Sequence, residues 1–497
     1  MIYGYLFRYR FGTTNSAVVA IASVNGEKVG DSTPIGNEGS KRYPMPSYVA
    51  IDRKTGEVST GLKAKKSITD YKKYEIFSSI KTVIDEEKVC EIAGKIWTPI
   101  DIAAELFKAL KENVKNRSDG QMELNEAVVA VPAEFSPEKK NCVRKAALQA
   151  GIKITMFISE PTAAYCSKIE EMKKYQNVAV FDWGGGTLDV VVLRVQGNIV
   201  TELAKRQLTF AGNDIDRLIA KKIYLKVAKK NNLNKNYDDL SEESKLILSA
   251  LCEEAKCELS DEEIAIIVSP EGDIKELGMF SEVLDYDYFS LLIDNDVDRA
   301  VDTLREALAD AGMNRETIDC IMCEGGSSRL KPLQNRLLEY FDRDKLIFPR
   351  TAMWDIASGA AEMAFRPGCY TLSRPIGVIQ ANGRFYPLLK VGQRVPTAVK
   401  NIKFGVVETT EEARIVLADG ENDETQTFIE YFPVKLRGFD DEILDIHCYI
   451  DADMVFRMKI HSNRMPDDLF RVWTYSNLKV SYELNPPETE LINDTGE

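Results

Sequence analysis

Histidine is almost missing from this chain: two stand among 497 residues, against nine cysteines. The shortage decides how Cys320-Ile-Met-Cys323 is read. Its spacing suits half of a zinc site, but it lies in an apolar, strand-like run, no second pair shares the spacing, and only two histidines occur in the whole chain. Buried free thiols in a reducing compartment are the expected state for these two and for Cys448. Basic charge is also short. Lys and Arg number 64 and Asp and Glu 78, a net charge of -14, which lacks the positive field that broad binding to nucleic acid or anionic membranes requires. No uninterrupted apolar run reaches membrane-spanning length, and the opening MIYGYLFRYRF is too short and too broken by arginine for a secretory signal. A cytoplasmic protein is the expectation. Two catalytic signatures are missing too: no Gly-Lys-Ser/Thr occurs, and a GxSxG elbow fails because position 329 is Arg.

What is present is ordinary globular composition, 44% hydrophobic and 29% charged, with length for roughly two to four compact units. The chain is organised around residues 177–195, NVAVFDWGGGTLDVVVLRV. Two short apolar runs there carry the carboxylates Asp182 and Asp189 and flank Gly184-Gly185-Gly186-Thr187. Glycines let the backbone take φ > 0 and bring its N–H groups against a ligand; a phosphate is the natural anion, with the Thr187 hydroxyl as a further donor. A P-loop or dinucleotide fingerprint runs from its glycines into a helix. Here the chain runs into a second strand, which makes a hairpin cradle, and a plain Gly-rich turn stays open for this loop taken alone. A valine at Gly185 is expected to press on the phosphates.

The arrangement recurs. Residues 2–11, the loop Gly12-Thr13-Thr14-Asn15-Ser16 and residues 17–22 again read strand, small polar loop, strand, and a strand over 318–323 empties into Glu324-Gly325-Gly326-Ser327-Ser328-Arg329. Thr98-Pro99 opens a helix with Ile102, Leu106, Leu110 and Val114 on one face. Residues 127–131 form a buried-type strand, Ser136 caps a helix that stops at Gly151, and Ser159 caps another, leaving Glu160 at a strand-to-helix junction that points into a cleft. Residues 220–240 are polar, a solvated helix end and loop. Ser241 caps a helix through Leu259, on which Leu246, Ile247, Leu251, Ala255 and Leu259 are apolar. Glu253, Lys256 and Ser260 share one of its faces; the first two would also suit a surface ion pair.

Near residue 366 the pattern changes. Arg366-Pro367-Gly368 ends an Ala-rich helix (356–365), and short β-type runs follow at 375–380, 385–390, 398–407, 413–417, 427–436, 443–450 and 455–461. These read as an all-β sandwich. The domains expected are 1–366, α/β with two lobes, a linker at 367–375, the sandwich at 376–484, and a disordered tail at 485–497.

In this order the strings FGTTNS (11–16), PSYVA (46–50), IK (80–81), AVVAVPAEF (127–135), SEPTAAY (159–165), VFDWGGGTLDV (180–190), AGNDID (211–216), CEEAKCELS (252–260), GGSSR (325–329) and IDAD (450–453) resemble the seventy-kilodalton heat-shock chaperone family. The likeness is strong to residue 366 and weaker to 484. It implies an actin/hexokinase-like ATPase domain that binds ATP or ADP with Mg2+. Gly12, Thr13, Thr14 and Asn15 would form the first phosphate loop, and Asp182, Gly184, Gly185, Gly186 and Thr187 the second, with Gly212 beside them. Lys81 would orient the attacking water, Asp189 would help it, and Thr187 would touch the γ-phosphate. Glu160 and Asp182 would hold the metal through water. Glu253, Lys256 and Ser260 would face ribose and adenine, with Gly325, Gly326, Ser327 and Arg329 opposite. In the sandwich, Val378, Ala381, Phe385, Ala413 and Ile415 would line a groove for unfolded or extended peptide. A J-domain co-chaperone and a nucleotide-exchange factor are the partners the family implies.

The chain departs from the family in four places. Arg10 stands where the family has an aspartate facing the metal's water shell, and Cys257 replaces the first of two adenine-clamping arginines. Residues 368–375, GCYTLSRP, lack the acidic, Leu-rich linker, and too few residues follow the sandwich for a helical lid. The expectation is therefore a lidless, nucleotide-modulated peptide binder with weak hydrolysis. A non-hydrolysing, nucleotide-sensing adaptor is the alternative, and a small-molecule kinase of the same superfold stands behind it.

Overall fold

The computed structural model describes residues 3–24, 27–35, 44–132, 135–269, 274, 276–363, 368–407, 409–420, 429–439, 441–466, 470–476 and 478–484. They fall into two compact units: Met1–Arg194 with Leu203–Phe365, and Val195–Glu202 with Arg366–Glu497.

The first unit holds two main sheets. One runs in the order Lys153–Ser159, Glu126–Val131, Tyr3–Arg10, Asn15–Val24, Glu27–Ile35. Tyr3–Arg10 and Asn15–Val24 form the expected hairpin, with Arg10 opposite Ala17, and Glu126–Val131 joins in parallel. Both faces of Asn15–Val24 are covered. Val18 and Ala20 pack with Ile102, Leu106, Leu110 and Val114 of the helix Pro99–Arg117, while Ala17, Val19 and Ile21 meet Trp354, Ala357 and Ala361 on and beside the helix Asp355–Glu362. A strand buried on both faces has to be apolar throughout, which accounts for the unbroken AVVAI run.

The other sheet places Leu346–Ile347, Cys320–Glu324, Asn177–Trp183 and Leu188–Gln196 side by side, followed by Ile199–Leu208. Asp182 is in register with Asp189 on the antiparallel side and with Glu324 on the parallel side. Helices Gly212–Asn231, Glu242–Glu258 and Tyr286–Asp310 supply the apolar face against it. Thr98, Ser136, Ser159 and Ser241 each accept a backbone N–H at the head of a helix, as their sequence context predicts. On Glu242–Glu258, Ile247, Ala255 and Leu259 are buried and Leu246 and Leu251 only partly so, with Leu248 and Cys252 buried in addition. The 220–240 stretch is less solvated than its composition suggests: Ile223, Tyr224, Val227 and Tyr237 belong to the core.

The second unit contains two four-stranded antiparallel sheets. Their orders are Phe385–Leu389, Ile376–Ile379, Glu412–Ala418, Ile429–Lys435 and Lys400–Gly405, Ile443–Ile450, Phe456–Ser462, Arg471–Tyr475. In Ile443–Ile450 every second residue, Leu444, Ile446, Cys448 and Ile450, is buried. Two expectations about boundaries change. Most of the expected linker is a strand: Gly368–Leu372 pairs with Val480–Leu484 and Arg394–Val395, and Tyr370 and Leu372 are buried. Residues 195–202 count with the second unit because Ile199, Val200 and Thr201 pair with Glu483, Tyr482 and Ser481. The expected tail at 485–497 lies outside the described residues.

The described cysteines are free, with Cys320, Cys323 and Cys448 buried, and no group of three metal-ligating side chains gathers among the described residues. No described helix is long and apolar enough to cross a membrane.

Candidate functional site

Three glycine turns converge in the first unit. At Gly12 a Cβ would lie 1.9 Å from the Asn15 carbonyl oxygen, so the turn admits only glycine. Ser47, within the PSYVA string, holds this loop: its N–H donates to Thr14 O at 2.8 Å and its hydroxyl to Gly12 O at 2.9 Å. The second loop closes through Gly184 N–H to Thr187 O. Its carbonyls at Gly184 and Gly185 accept from the N–H groups of Gly212 and Asn213, and Ser327 Oγ adds a bond to Gly184 O at 2.8 Å. The first two loops touch each other. A Cβ on Gly185 would stand 1.8 Å from Thr14 Oγ1, and one on Gly186 2.9 Å from Thr13 Cγ2. A side chain at Gly185 therefore meets the opposite loop before any ligand, which alters the expected reason for its intolerance. Gly325, at φ +81°, packs against the Trp183 carbonyl and Asp182 Oδ1.

Beneath the loops lies a charged cluster. Arg10 Nη2 donates to Asp182 Oδ2 at 2.6 Å and stands 3.8 Å from Glu160 Oε2. Lys81 Nζ donates to Glu160 Oε1 at 2.8 Å, and both side chains are buried. Lys81 taken alone reads as a surface lysine; the fold places it inside, 5.6 Å from the Phe135 ring. Thr187 Oγ1 donates to Asp189 Oδ2 at 2.7 Å and Gln207 Nε2 to Asp189 Oδ1 at 2.8 Å, so both oxygens of that carboxylate are engaged. Burial pushes the Asp182 carboxyl up to about 6 against the opposing pull of Arg10, with Glu160 and Asp189 adding to the rise. Burial also raises Asp189. For Arg10 burial works towards loss of the proton, but Asp182, Glu160, Glu324 and Asp189 together outweigh it and hold the guanidinium charged.

Sequence reasoning saw Glu324 only as the residue before two glycines. It is wholly buried, neither oxygen has a hydrogen-bond partner among the described residues, and burial, with Asp355 and Asp182 nearby, raises it well above the usual carboxylate range. Such a setting favours the protonated over the charged form.

On the expected adenosine side the face is brought together but differently paired. Glu253 accepts from Lys65 at 2.7 Å, not from Lys256. Lys256 is buried, donates to Gly212 O at 3.0 Å and pairs with Asp216 at 2.7 Å. Burial lifts Asp216 to about 6. Ser260 lies beyond the helix end at Glu258, and the neighbouring Asp261 pairs with Arg329 at 3.3 Å. Lys65 carries no sequence signal beyond its place near a helix, and Asp216 is marked in the sequence only as the last residue of the AGNDID string.

The five groove residues do not share one open surface. Val378 is in register with Leu417, which puts it on the face of Ala413 and Ile415; Val378 and Ile415 are each only 6% exposed. Phe385 is opposite Ile379 and lies over Gly377, on the other face, and Ala381 is exposed in the turn between strands. Alternation along the strands separates them.

The resemblance places a hydrated divalent cation at this cluster. Such an ion binds through free carboxylate oxygens and water, yet Asp182 is committed to Arg10 and Glu160 to Lys81. The residues do not fit it. The cluster suits an anion better: Arg10 Nε and Thr14 Oγ1 are buried donors lacking acceptors among the described residues.

A family model described as "Hsp70 protein" matches residues 10–363. The match takes in the three glycine loops, the Arg10–Asp182 and Lys81–Glu160 pairs and the Glu242–Glu258 helix.

Proposed function

Because the chain belongs to the Hsp70 family, with the actin-like ATPase fold and chaperone-type ATP binding that the family implies, we propose that it binds an adenine nucleotide at the glycine loops and thereby controls how the second unit holds extended polypeptide. The observation that carries this reading is the convergence of Gly12–Asn15, Gly184–Thr187 and Gly325–Arg329 on one buried cluster of opposite charges. Backbone N–H groups and Thr14 cradle the phosphates, Lys256 and Glu253 face the sugar, and Arg329 closes the base side. The two four-stranded sheets act as the peptide-holding sandwich. Extended chains are its substrates, a J-domain co-chaperone and an exchange factor its partners, and the cytoplasm its compartment.

Hydrolysis is slow in this reading. Lys81 is tied to Glu160, and Asp189 is bonded at both oxygens. The groups that would orient the attacking water are thus each engaged with a neighbouring side chain, and each must be released before it can act. Orientation supplies a large part of phosphoryl-transfer catalysis, so the expected outcome is tight binding with turnover about a hundredfold or more below an ordinary ATPase of this family.

Phosphate release and fluorescent-peptide anisotropy, each with ATP, ADP or no nucleotide, test the proposal. Peptide release that changes with nucleotide while phosphate appears slowly supports it; peptide capture indifferent to nucleotide overturns it. The Arg10–Asp182 ion pair also favours a second reading, an adaptor that senses ATP without hydrolysing it. That reading predicts no capture of unfolded peptide at all.

A further inference from the structure

We infer that Arg10 is the resident cation of this cleft, and that the protein takes its nucleotide as the metal-free anion. The inference rests on the nucleotide reading above and deepens it.

Arg10 lies at the end of the strand Tyr3–Arg10, one residue before the buried Phe11 and two before the first glycine loop. Its guanidinium is centred on the two carboxylates best placed to hold a metal's water shell, 2.6 Å from Asp182 and 3.8 Å from Glu160. Lys81 takes the remaining charge of Glu160 at 2.8 Å. Two fixed cations therefore neutralise two carboxylates. A divalent ion entering here has to displace a buried, hydrogen-bonded guanidinium and meets its positive charge at short range.

The buried acceptors without a partner among the described residues are Asp182 Oδ1 and the Glu324 carboxyl, and Glu160 Oε2 meets Arg10 only at 3.8 Å. With Arg10 already paired to Asp182 and Lys81 to Glu160, these oxygens make a poor shell for an ion that demands near-octahedral oxygen coordination. The donors left over point the other way. A guanidinium presents five N–H groups in a planar fork that suits phosphate, and Arg10 Nε is buried without an acceptor among the described residues. Thr14 Oγ1, on the adjoining loop, is in the same position. Phosphate oxygens would satisfy both, and the fork would neutralise charge that a metal ion neutralises elsewhere.

Isothermal titration of ATP and of ADP into the full chain, once with Mg2+ and once with EDTA, tests the inference. The wild-type dissociation constants should agree within about twofold between the two conditions, and Arg10→Asp should gain a dependence on Mg2+ of about tenfold or more. Wild-type affinity that falls about tenfold in EDTA overturns the inference and leaves the nucleotide reading standing. Absence of binding in both conditions overturns both. If Arg10→Asp does not fold, the wild-type comparison is decisive by itself. Arg10→Lys serves as a further check: a point charge without the planar fork should weaken binding equally in both conditions.

Discussion

Glu324 closes a strand between Asp182 and the third glycine turn, fully buried and with neither oxygen bonded among the described residues. A carboxyl in that setting stabilises the folded state only while protonated. Its folded value is raised above the ordinary 4.5, so the native chain keeps a proton that the unfolded chain releases, and stability declines as pH rises above that range. Leucine has nearly the same volume and no such liability. Glu324→Leu is expected to raise stability by about 1–3 kcal/mol at pH 8, with a smaller gain at pH 5. Urea unfolding at the two pH values checks it, and a variant less stable than wild type at pH 8 contradicts the expectation. Arg10 and Glu324 show opposite outcomes of burial at this site: surrounding acids hold the guanidinium charged against it, whereas burial itself, reinforced by Asp355 and Asp182, drives the Glu324 carboxyl upward.

Helix ends were among the most legible features, because a cap is written in consecutive residues. The helix Glu242–Glu258 adds something the sequence did not disclose. Glu276, distant in the chain, accepts from Ser241 N–H, Ser241 Oγ and Ser244 Oγ at 3.1, 2.9 and 2.6 Å, and from Lys235 at 2.9 Å. The Ser244 bond leads in drawing Glu276 down to about 2, despite some opposing burial. A depressed acid stabilises the fold above its unfolded value of 4.5 and ceases to do so as pH falls through about 2. Discounted for partial exposure, Glu276→Gln should cost about 1 kcal/mol at pH 7, with the difference vanishing near pH 2. Denaturation midpoints of both proteins across that range measure it. The same contrast between local and distant information governs the rest. Glycine loops and strand-to-helix junctions could be read from short strings, whereas the ion pairs could not: Arg10 and Asp182 are 172 residues apart, Lys65 and Glu253 188. Gly368–Leu372 escaped for a related reason. A short run with Gly, Cys and Thr followed by Ser-Arg-Pro has weak strand character, and pairing with Val480–Leu484 makes it a strand.

At the scale of the molecule, the assignment of Val195–Glu202 to the second unit means that the backbone passes between units at 194/195, 202/203 and 365/366. The second unit draws a strand from a hairpin that begins and ends in the first. Leu484 N–H donates to Asn198 O at 2.8 Å, Thr201 and Ser481 share a hydroxyl bond at 2.8 Å, and the register pairs Ile199–Glu483 and Val200–Tyr482 lie between them. A protease site placed within 364–367 and then cut should leave the two pieces eluting together on size-exclusion chromatography, and clean separation in buffer would contradict this. Recombination feels the same constraint. A module that borrows a strand from the interior of its neighbour's sequence cannot be exchanged by one crossover at a boundary. A chimaera joined at 366 would inherit a foreign hairpin at 199–201 opposite its own Ser481–Glu483, so in lineages carrying this arrangement the two units should change together rather than be traded as separate pieces.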